Sequence, residues 1–490
     1  MAQRMTAPVL PGFWPDPSIC HVDGTYYLAN SSFEYFPAVP LHTSTDLITW
    51  TPIGHAIDRP GQLDLSRAAD SGGVYAPAIR HHDGVFYLAS TSIGAGDGFG
   101  TFYLRTDDPA GDWSDAVFLP EARGFDPSIH FDVDGTAWWV QCRERDEPRF
   151  DGDTEIWVRP IDLEAGRFTG PETIIGGPVM RGGVWAEGPH IHRREGWYYL
   201  LTAEGGTADS HAVMVSRSRS VTGPYEPFAN NPLLTHRHLG RSAPIAAVGH
   251  MDWAEGPDGW AAVALATRPV GHRVVLGRET FAASVTWEDD WPVVNAGRGV
   301  IGPIDAPAVV ETRDRATRAD FVSERGPYED LTEDADGVVL TAVADGLTPA
   351  AGPGVWRRVQ NRFGTVAVTV QRVDHDAVAC VVLRQSDDHQ LVVQVHADEV
   401  RLVERRAGVD RIIAALPVAD GGRPVGVSAR LGATDVVFEI GGEEPVPLGE
   451  APIDVLTTEV AGGFVGAMFG ARPAGAARSR TRLLGWSQHD

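Results

Sequence analysis

The chain has 490 residues with 41 basic and 66 acidic side chains, a formal net charge of −25. Its length allows about two to four domains of ordinary size. Such an acidic balance argues against nucleic acid or an anionic membrane surface as partner, because both need clustered cations. All 41 basic residues are arginine and none is lysine, which excludes a Schiff-base lysine, a P-loop phosphate site and a kinase lysine together. Glycine and proline number 55 and 35, beside 14 Trp and 18 Phe; this is a turn-rich, ordered β composition rather than a disordered one. The cysteines Cys20, Cys142 and Cys380 stand far apart in no metal spacing and read as reduced thiols. The opening stretch MAQRMTAPVLPGFWPDP has no apolar signal region, and no run reaches the roughly 18 apolar residues of a membrane span. A cytoplasmic location with no membrane partner is therefore expected.

A short phrase recurs five times along the first part of the chain. The copies are VDGTYYLANSS (22–32), HDGVFYLASTS (82–92), VDGTAWWVQCR (133–143), REGWYYLLTAE (194–204) and PDGWAAVALAT (257–267). Their glycines, Gly24, Gly84, Gly135, Gly196 and Gly259, are separated by 60, 51, 61 and 63 residues. Asp-Gly or Glu-Gly before a β-rich run is a tight-hairpin signal, and the spacing leaves room for about four short strands per unit. Five such sheets arranged radially make a five-bladed β-propeller over residues 1–303. Residues 304–320 read as a linker rich in Ala, Arg and Asp. From 321 to 490 the text alternates Val, Leu and Ile with Arg and Asp, the period-two pattern of an antiparallel β-sandwich. The expected class is all-β: a propeller followed by a C-terminal β-sandwich that contributes to the active-site pocket.

Reading back eight or nine positions from each glycine reaches the start of the strand that leads into each hairpin. There stand Asp16, Ala76, Asp126, Glu187 and His250. Equivalent blade positions converge on one ring around the axis, so one mouth of the propeller is expected to hold three carboxylates and a histidine. A lone loop carboxylate is ordinarily just solvated; three at symmetry-related places, set among apolar and proline residues, are not. Paired carboxylates suit glycosidic bond cleavage, where one must stay protonated for the leaving oxygen while the other stays ionised to activate water. A third negative neighbour raises the pKa of the acid.

The stretches VLPGFWPDPSIC, YYLANSSFEYFPAVPLHTSTDLITW, DRPGQLDLS, SGGVYAPAIRHHDGVFYL, GFDPSIHFDVDG, WAEGPHIH, GHMDW and LGRETF resemble glycoside hydrolase family 43, in particular its two-domain β-xylosidases and α-L-arabinofuranosidases. The likeness spans residues 8–303, and GGFVGAMFGARP (462–473) is similar, more weakly, to the family's sandwich. The resemblance implies an exo-acting, inverting glycosidase with Asp16 as general base, Glu187 as general acid and Asp126 orienting substrate and raising the acid's pKa. It further implies that Phe33 walls the subsite for the non-reducing sugar, that Arg278 hydrogen-bonds that sugar, and that Phe464 reaches over the mouth. His250 matches a histidine that holds a calcium ion; no organic cofactor is implied. One departure stands out: the family usually has Trp where this chain has Tyr75, which bears on the shape of the sugar subsite.

The leading reading is a β-xylosidase taking xylose from the non-reducing end of short xylo-oligosaccharides, with homo-oligomers common among relatives. An α-L-arabinofuranosidase, or an enzyme with both activities, is the alternative, since both sugars present similar hydroxyl patterns. A fructan hydrolase disagrees with WPDPS, and a binding propeller without catalysis disagrees with the presence of all three acids.

Overall fold

The computed structural model describes residues 8–94, 99–301, 309–326, 331–418, 422–441 and 444–489. These fall into two compact units, one within Met1–Leu10, Trp14–Gly271 and Arg278–Ala306, the other within Pro11–Phe13, His272–Gly277 and Pro307–Asp490.

The first unit is a five-bladed propeller. Its innermost strands are Ser18–Val22, Ala78–His82, Phe125–Phe131, Glu187–Arg194 and Ala246–Gly256, each paired antiparallel to the next strand outward in its own sheet. Each innermost strand also touches the innermost strands of its two neighbours, so the five close a ring around the axis. Four of the five predicted phrases make two-residue or similarly short turns, and in three of these both central residues take positive φ: Asp23 and Gly24, Asp83 and Gly84, Glu195 and Gly196. That is the twist a tight hairpin requires, which is why Asp-Gly or Glu-Gly marks each blade. Pro8–Leu10 adds to the last blade by pairing with Glu279–Glu288, joining the start of the propeller to its end.

Apolar layers between blades hold the ring together. Between the fourth and fifth blades, Tyr199, Leu201, Val213, Trp253 and Phe281 form one buried cluster. Trp253 sits 5.6 Å from Trp287 and 6.0 Å from Trp260 in edge-on contacts. Such ring pairs add about 0.5–1.5 kcal/mol each beyond the area they bury. The three cysteines are free and buried.

The second unit is a β-sandwich. One sheet runs Leu331–Glu333, Val338–Thr341, Arg480–His489, Gly364–Arg372, Val425–Leu431, Asp435–Ile440, Val446–Pro452 in pairing order. In the other, Ala377–Ser386 lies between His389–Val395 and Met468–Gly475. Val366, Val368 and Val370 turn inward with Leu383, Val393 and Phe469 to fill the core. The buried residues of Gly364–Arg372 alternate along the strand, as the period-two sequence pattern demands. Residues 304–308 of the predicted linker lie outside the described residues. By Glu311–Arg313 the chain already pairs with Arg480–His489, so that stretch is strand and not free tether.

Candidate active site

Asp16, Asp126 and His250 share a feature that a sequence pattern does not reveal: all three have left-handed backbone, with φ of 50°, 52° and 44°. Non-glycine residues adopt this conformation at a cost of about 1–3 kcal/mol. In the third, fourth and fifth blades the register of the inner strand shifts at Asp126, Glu187 and His250, between Phe125 and Ser128, between Glu187 and His190 and between Gly249 and Met251. Each shift is a bulge that turns a side chain out of the sheet and toward the axis. In the AEGPH stretch the strained position is Gly188, at φ 55°. A Cβ there would lie 2.9 Å from the His250 ring, so only glycine fits. Its bare backbone N–H donates to Asp126 Oδ2 at 3.1 Å.

The three carboxylates lie in one electrostatic field but in different surroundings. Asp16 is 4% exposed. It accepts from Arg278 Nη1 at 2.6 Å and Nη2 at 3.3 Å, and from the Ser31 hydroxyl at 2.5 Å. Burial alone would raise its pKa, but the Arg278 guanidinium, His250 and the Ser31 hydroxyl together hold it below the ordinary aspartate value. Glu187 keeps partial solvent access and feels the lowering pull of Arg278 only as its last-named influence. Desolvation first, then the negative charges of Asp126 and Asp16, push it well above the ordinary glutamate value. Asp126 lies between the two. Burial and Asp16 raise it to about 6, against the lowering pull of His250, the Gly188 N–H and Arg278. One carboxyl is thus biased toward its ionised form and another toward its protonated form, the pairing that acid–base cleavage of an acetal needs.

An aromatic wall flanks these acids. Phe33 and Tyr75 stand 5.1 Å apart at 58°, and the Arg278 guanidinium lies 5.5 Å from the centre of the Phe33 ring. The second glycine of SGGVYAP makes this possible, because a Cβ on Gly73 would come within 2.2 Å of the Phe33 carbonyl oxygen. The Tyr75 phenol is pushed up to about 12, mainly by burial and then by the charge of Asp126, which puts it in the field of the acids. Phe464 belongs to the second unit, in the segment between the short helix Thr458–Ala461 and the strand Met468–Gly475, and it is exposed.

A model of glycosyl hydrolases family 43 matches residues 5–292. The chain belongs to this family. Over 94% of its own length and 94% of the relative's, it is 34% identical to a xylosidase/arabinosidase of Butyrivibrio fibrisolvens. It is 34% identical, over 97% of its length and 92% of the relative's, to a non-reducing end alpha-L-arabinofuranosidase of Bacteroides ovatus. Among solved structures, a xylan beta-1,4-xylosidase of Bacillus halodurans superposes with a TM-score of 0.88 at 26% identity, covering 99% of this chain and all of the other. This family-43 chain is therefore a glycoside hydrolase that acts on carbohydrate.

Several residues of the family-43 site escaped the motif reading. Ser31 has no signal beyond being a serine in a repeat, yet it bonds Asp16. Thr207 accepts from Arg278 Nη1 at 3.4 Å. His211 donates Nδ1–H to the Ala247 carbonyl at 3.1 Å, and its ring fills the space a Cβ on Gly249 would need. Burial lowers its pKa to about 3, so it stays neutral beside Asp16. His250 places Nδ1 3.8 Å from Asp16 Oδ1 and its ring 6.4 Å from that of His190. A calcium ion takes six to eight oxygen ligands. Among the described residues, no group of three or more His, Cys, Asp and Glu side chains is arranged to hold a metal. The oxygens of Asp16 nearest to His250 are already taken by Arg278 and Ser31. The side chains around His250 thus do not make a calcium cage.

Proposed function

We propose that this family-43 enzyme is an exo-acting, inverting β-xylosidase that releases xylose from the non-reducing end of xylo-oligosaccharides. The observation that carries the reading is the opposite surroundings of two neighbouring carboxyls: Asp16 is gripped by Arg278 and the Ser31 hydroxyl, which lower its pKa, whereas Glu187 is raised by burial and by the charges of Asp126 and Asp16. Asp16 accepts a proton from a water molecule as that water attacks the anomeric carbon. Glu187 gives its proton to the departing glycosidic oxygen as the bond to that carbon breaks. Asp126, which accepts a hydrogen bond from the backbone N–H of Gly188, the residue next to the acid, orients the substrate and raises the pKa of Glu187. Arg278 offers its fork of donors to vicinal hydroxyls while it anchors Asp16, and Phe33 and Tyr75 face the sugar ring.

Activity as an α-L-arabinofuranosidase, alone or alongside, is the second reading. It is favoured by two relatives that span nearly the whole chain, a xylosidase/arabinosidase and a non-reducing end alpha-L-arabinofuranosidase, and by Tyr75, smaller than the Trp the family usually carries. Parallel hydrolysis of p-nitrophenyl β-D-xylopyranoside and p-nitrophenyl α-L-arabinofuranoside separates the two, with the larger kcat/KM expected on the xyloside. A larger value on the arabinofuranoside would transfer the name and leave the acid and base in place. Proton NMR of the first turnovers on the xyloside is expected to show α-xylose, and β-xylose would remove the inverting assignment.

A further inference from the structure

Below the three acids, on the same inner strands, lies a second charged cluster that the proposed chemistry does not use. Asp252 is fully buried on the innermost strand of the fifth blade. Its Oδ1 accepts from His192 Nε2 at 2.8 Å, the Trp253 backbone N–H at 2.9 Å and Arg80 Nη2 at 3.2 Å. Its Oδ2 accepts from the Ser18 hydroxyl at 2.7 Å, Arg80 Nη1 at 2.8 Å and the Ile19 backbone N–H at 3.1 Å. Four of the five blades supply this cluster: Ser18 and Ile19 from the first, Arg80 from the second, His192 from the fourth and Asp252 from the fifth.

We infer that the Arg80 guanidinium is the permanent cation of the propeller axis and that this enzyme holds its acid–base site together without a divalent metal. The argument is one of lone pairs and charge. An ionised carboxylate offers about four lone-pair sites, and Asp252 already receives six donors. The Ser18 oxygen accepts from the Ile79 N–H at 3.0 Å and from Arg80 Nη1 at 3.3 Å while giving its own proton to Asp252. Neither side chain has an oxygen left for a hard cation.

Histidine offers no substitute. Arg80 Nη2 lies 2.9 Å from His190 Nδ1. A guanidinium can only donate, so Nδ1 must be the acceptor and the proton of the neutral ring must sit on Nε2. A protonated Nε2 has no lone pair to give a metal, and that of Nδ1 is already taken by Arg80. Arg80 and Asp252 offset each other, so this pair brings no net negative charge that would draw a dication to it. His190 then links this fixed cation to His250, whose ring is 6.4 Å away and whose Nδ1 faces Asp16. The planar fork of arginine reaches the two oxygens of Asp252 through separate nitrogens, Nη1 to Oδ2 and Nη2 to Oδ1, while Nη2 also meets His190, a bidentate geometry that a single ammonium nitrogen does not reproduce.

The test uses the full-length enzyme and does not depend on which sugar it prefers. After exhaustive dialysis against EDTA, metal content by mass spectrometry is expected to be far below one ion per chain. The Tm and the kcat/KM on the better of the two p-nitrophenyl glycosides are expected to match those measured with excess Ca²⁺. One retained metal per chain, or a rise in Tm or activity on adding Ca²⁺, would overturn the inference while leaving the glycosidase assignment intact. In Arg80→Gly, both Tm and activity are expected to fall and to recover with added guanidinium ion but not with Ca²⁺. Recovery with Ca²⁺ and not with guanidinium would show an axial metal site and overturn it as well. Should Arg80→Gly not fold, Arg80→Lys serves in its place: reduced Tm with no Ca²⁺ response supports the inference, and restoration by Ca²⁺ refutes it.

Discussion

The two charged clusters of the propeller lie on the same inner strands, only two or three residues apart. Asp16 precedes Ser18, Glu187 precedes His190, and His250 precedes Asp252. Yet they are built to opposite ends. Around Asp252 every lone pair meets a donor, burial is complete, and the carboxyl is held far below its ordinary pKa chiefly by Arg80 against the cost of desolvation. Around Asp126 and Glu187 negative charges outnumber their partners, and both carboxyls are raised. A buried charge that is fully partnered stabilises the ring but has no proton to exchange. One left short of partners is costly to the fold, and for that reason it is reactive.

This contrast can be broken experimentally. The largest effect is expected from Asp16→Ala, which should lower kcat/KM by about ten-thousand-fold on both nitrophenyl glycosides, since it removes the group that deprotonates water. A loss below about tenfold would move the base elsewhere. Asp252→Asn should act on stability first: leaving Arg80 buried without its counter-charge costs about 3–5 kcal/mol, read from the urea unfolding midpoint. Loss of activity at unchanged stability would erase the distinction between the clusters.

Glu187→Gln sharpens the comparison on the reactive side. Its kcat/KM should fall by about 10²–10³-fold on xylobiose, whose leaving oxygen must be protonated, and much less on the nitrophenyl xyloside. Equal losses on the two would sink the acid assignment. Asp126→Asn is expected to have the subtlest signature, in the pH profile. Activity needs Asp16 ionised and Glu187 protonated, so it falls toward acid through the lowered pKa of Asp16 and toward alkali through the raised pKa of Glu187. Removing the negative charge of Asp126 lowers the pKa of Glu187, and the alkaline limb should move to lower pH by about one unit. Stability should change with the opposite emphasis. Asp126 has a folded-state pKa near 6, above the ordinary 3.8, so the native protein loses stability as pH rises from one value to the other. Asp126→Asn should therefore be more stable than the wild type at pH 8, with the gap closing below pH 4. An unchanged difference in Tm across that range would show that Asp126 is not raised.

Much of this molecule was legible in the chain because its signals are local. A positive-φ turn needs Gly24, Gly84 or Gly196 whatever lies around it, so the hairpins and their near-regular spacing announced the blades. Quasi-symmetry between blades then puts Asp16, Asp126, Glu187 and His250 at equivalent positions. The alternation in 364–372 was equally plain, since strand side chains point to opposite faces. The stretch 304–320 was not: a three-residue strand at Glu311–Arg313 has too few residues to show a period, and only its partner Arg480–His489 makes it one.

What the sequence by itself determined is the all-β architecture, the family and the ring of acids. The tertiary structure alone decided which carboxyl is lowered and which are raised. Ser18 and Arg80 reach Asp252 across 234 and 172 residues of chain, and Arg278 reaches Asp16 across 262. A carboxyl's pKa depends on the water it has lost and the charges beside it, and both are set by neighbours that are remote along the chain.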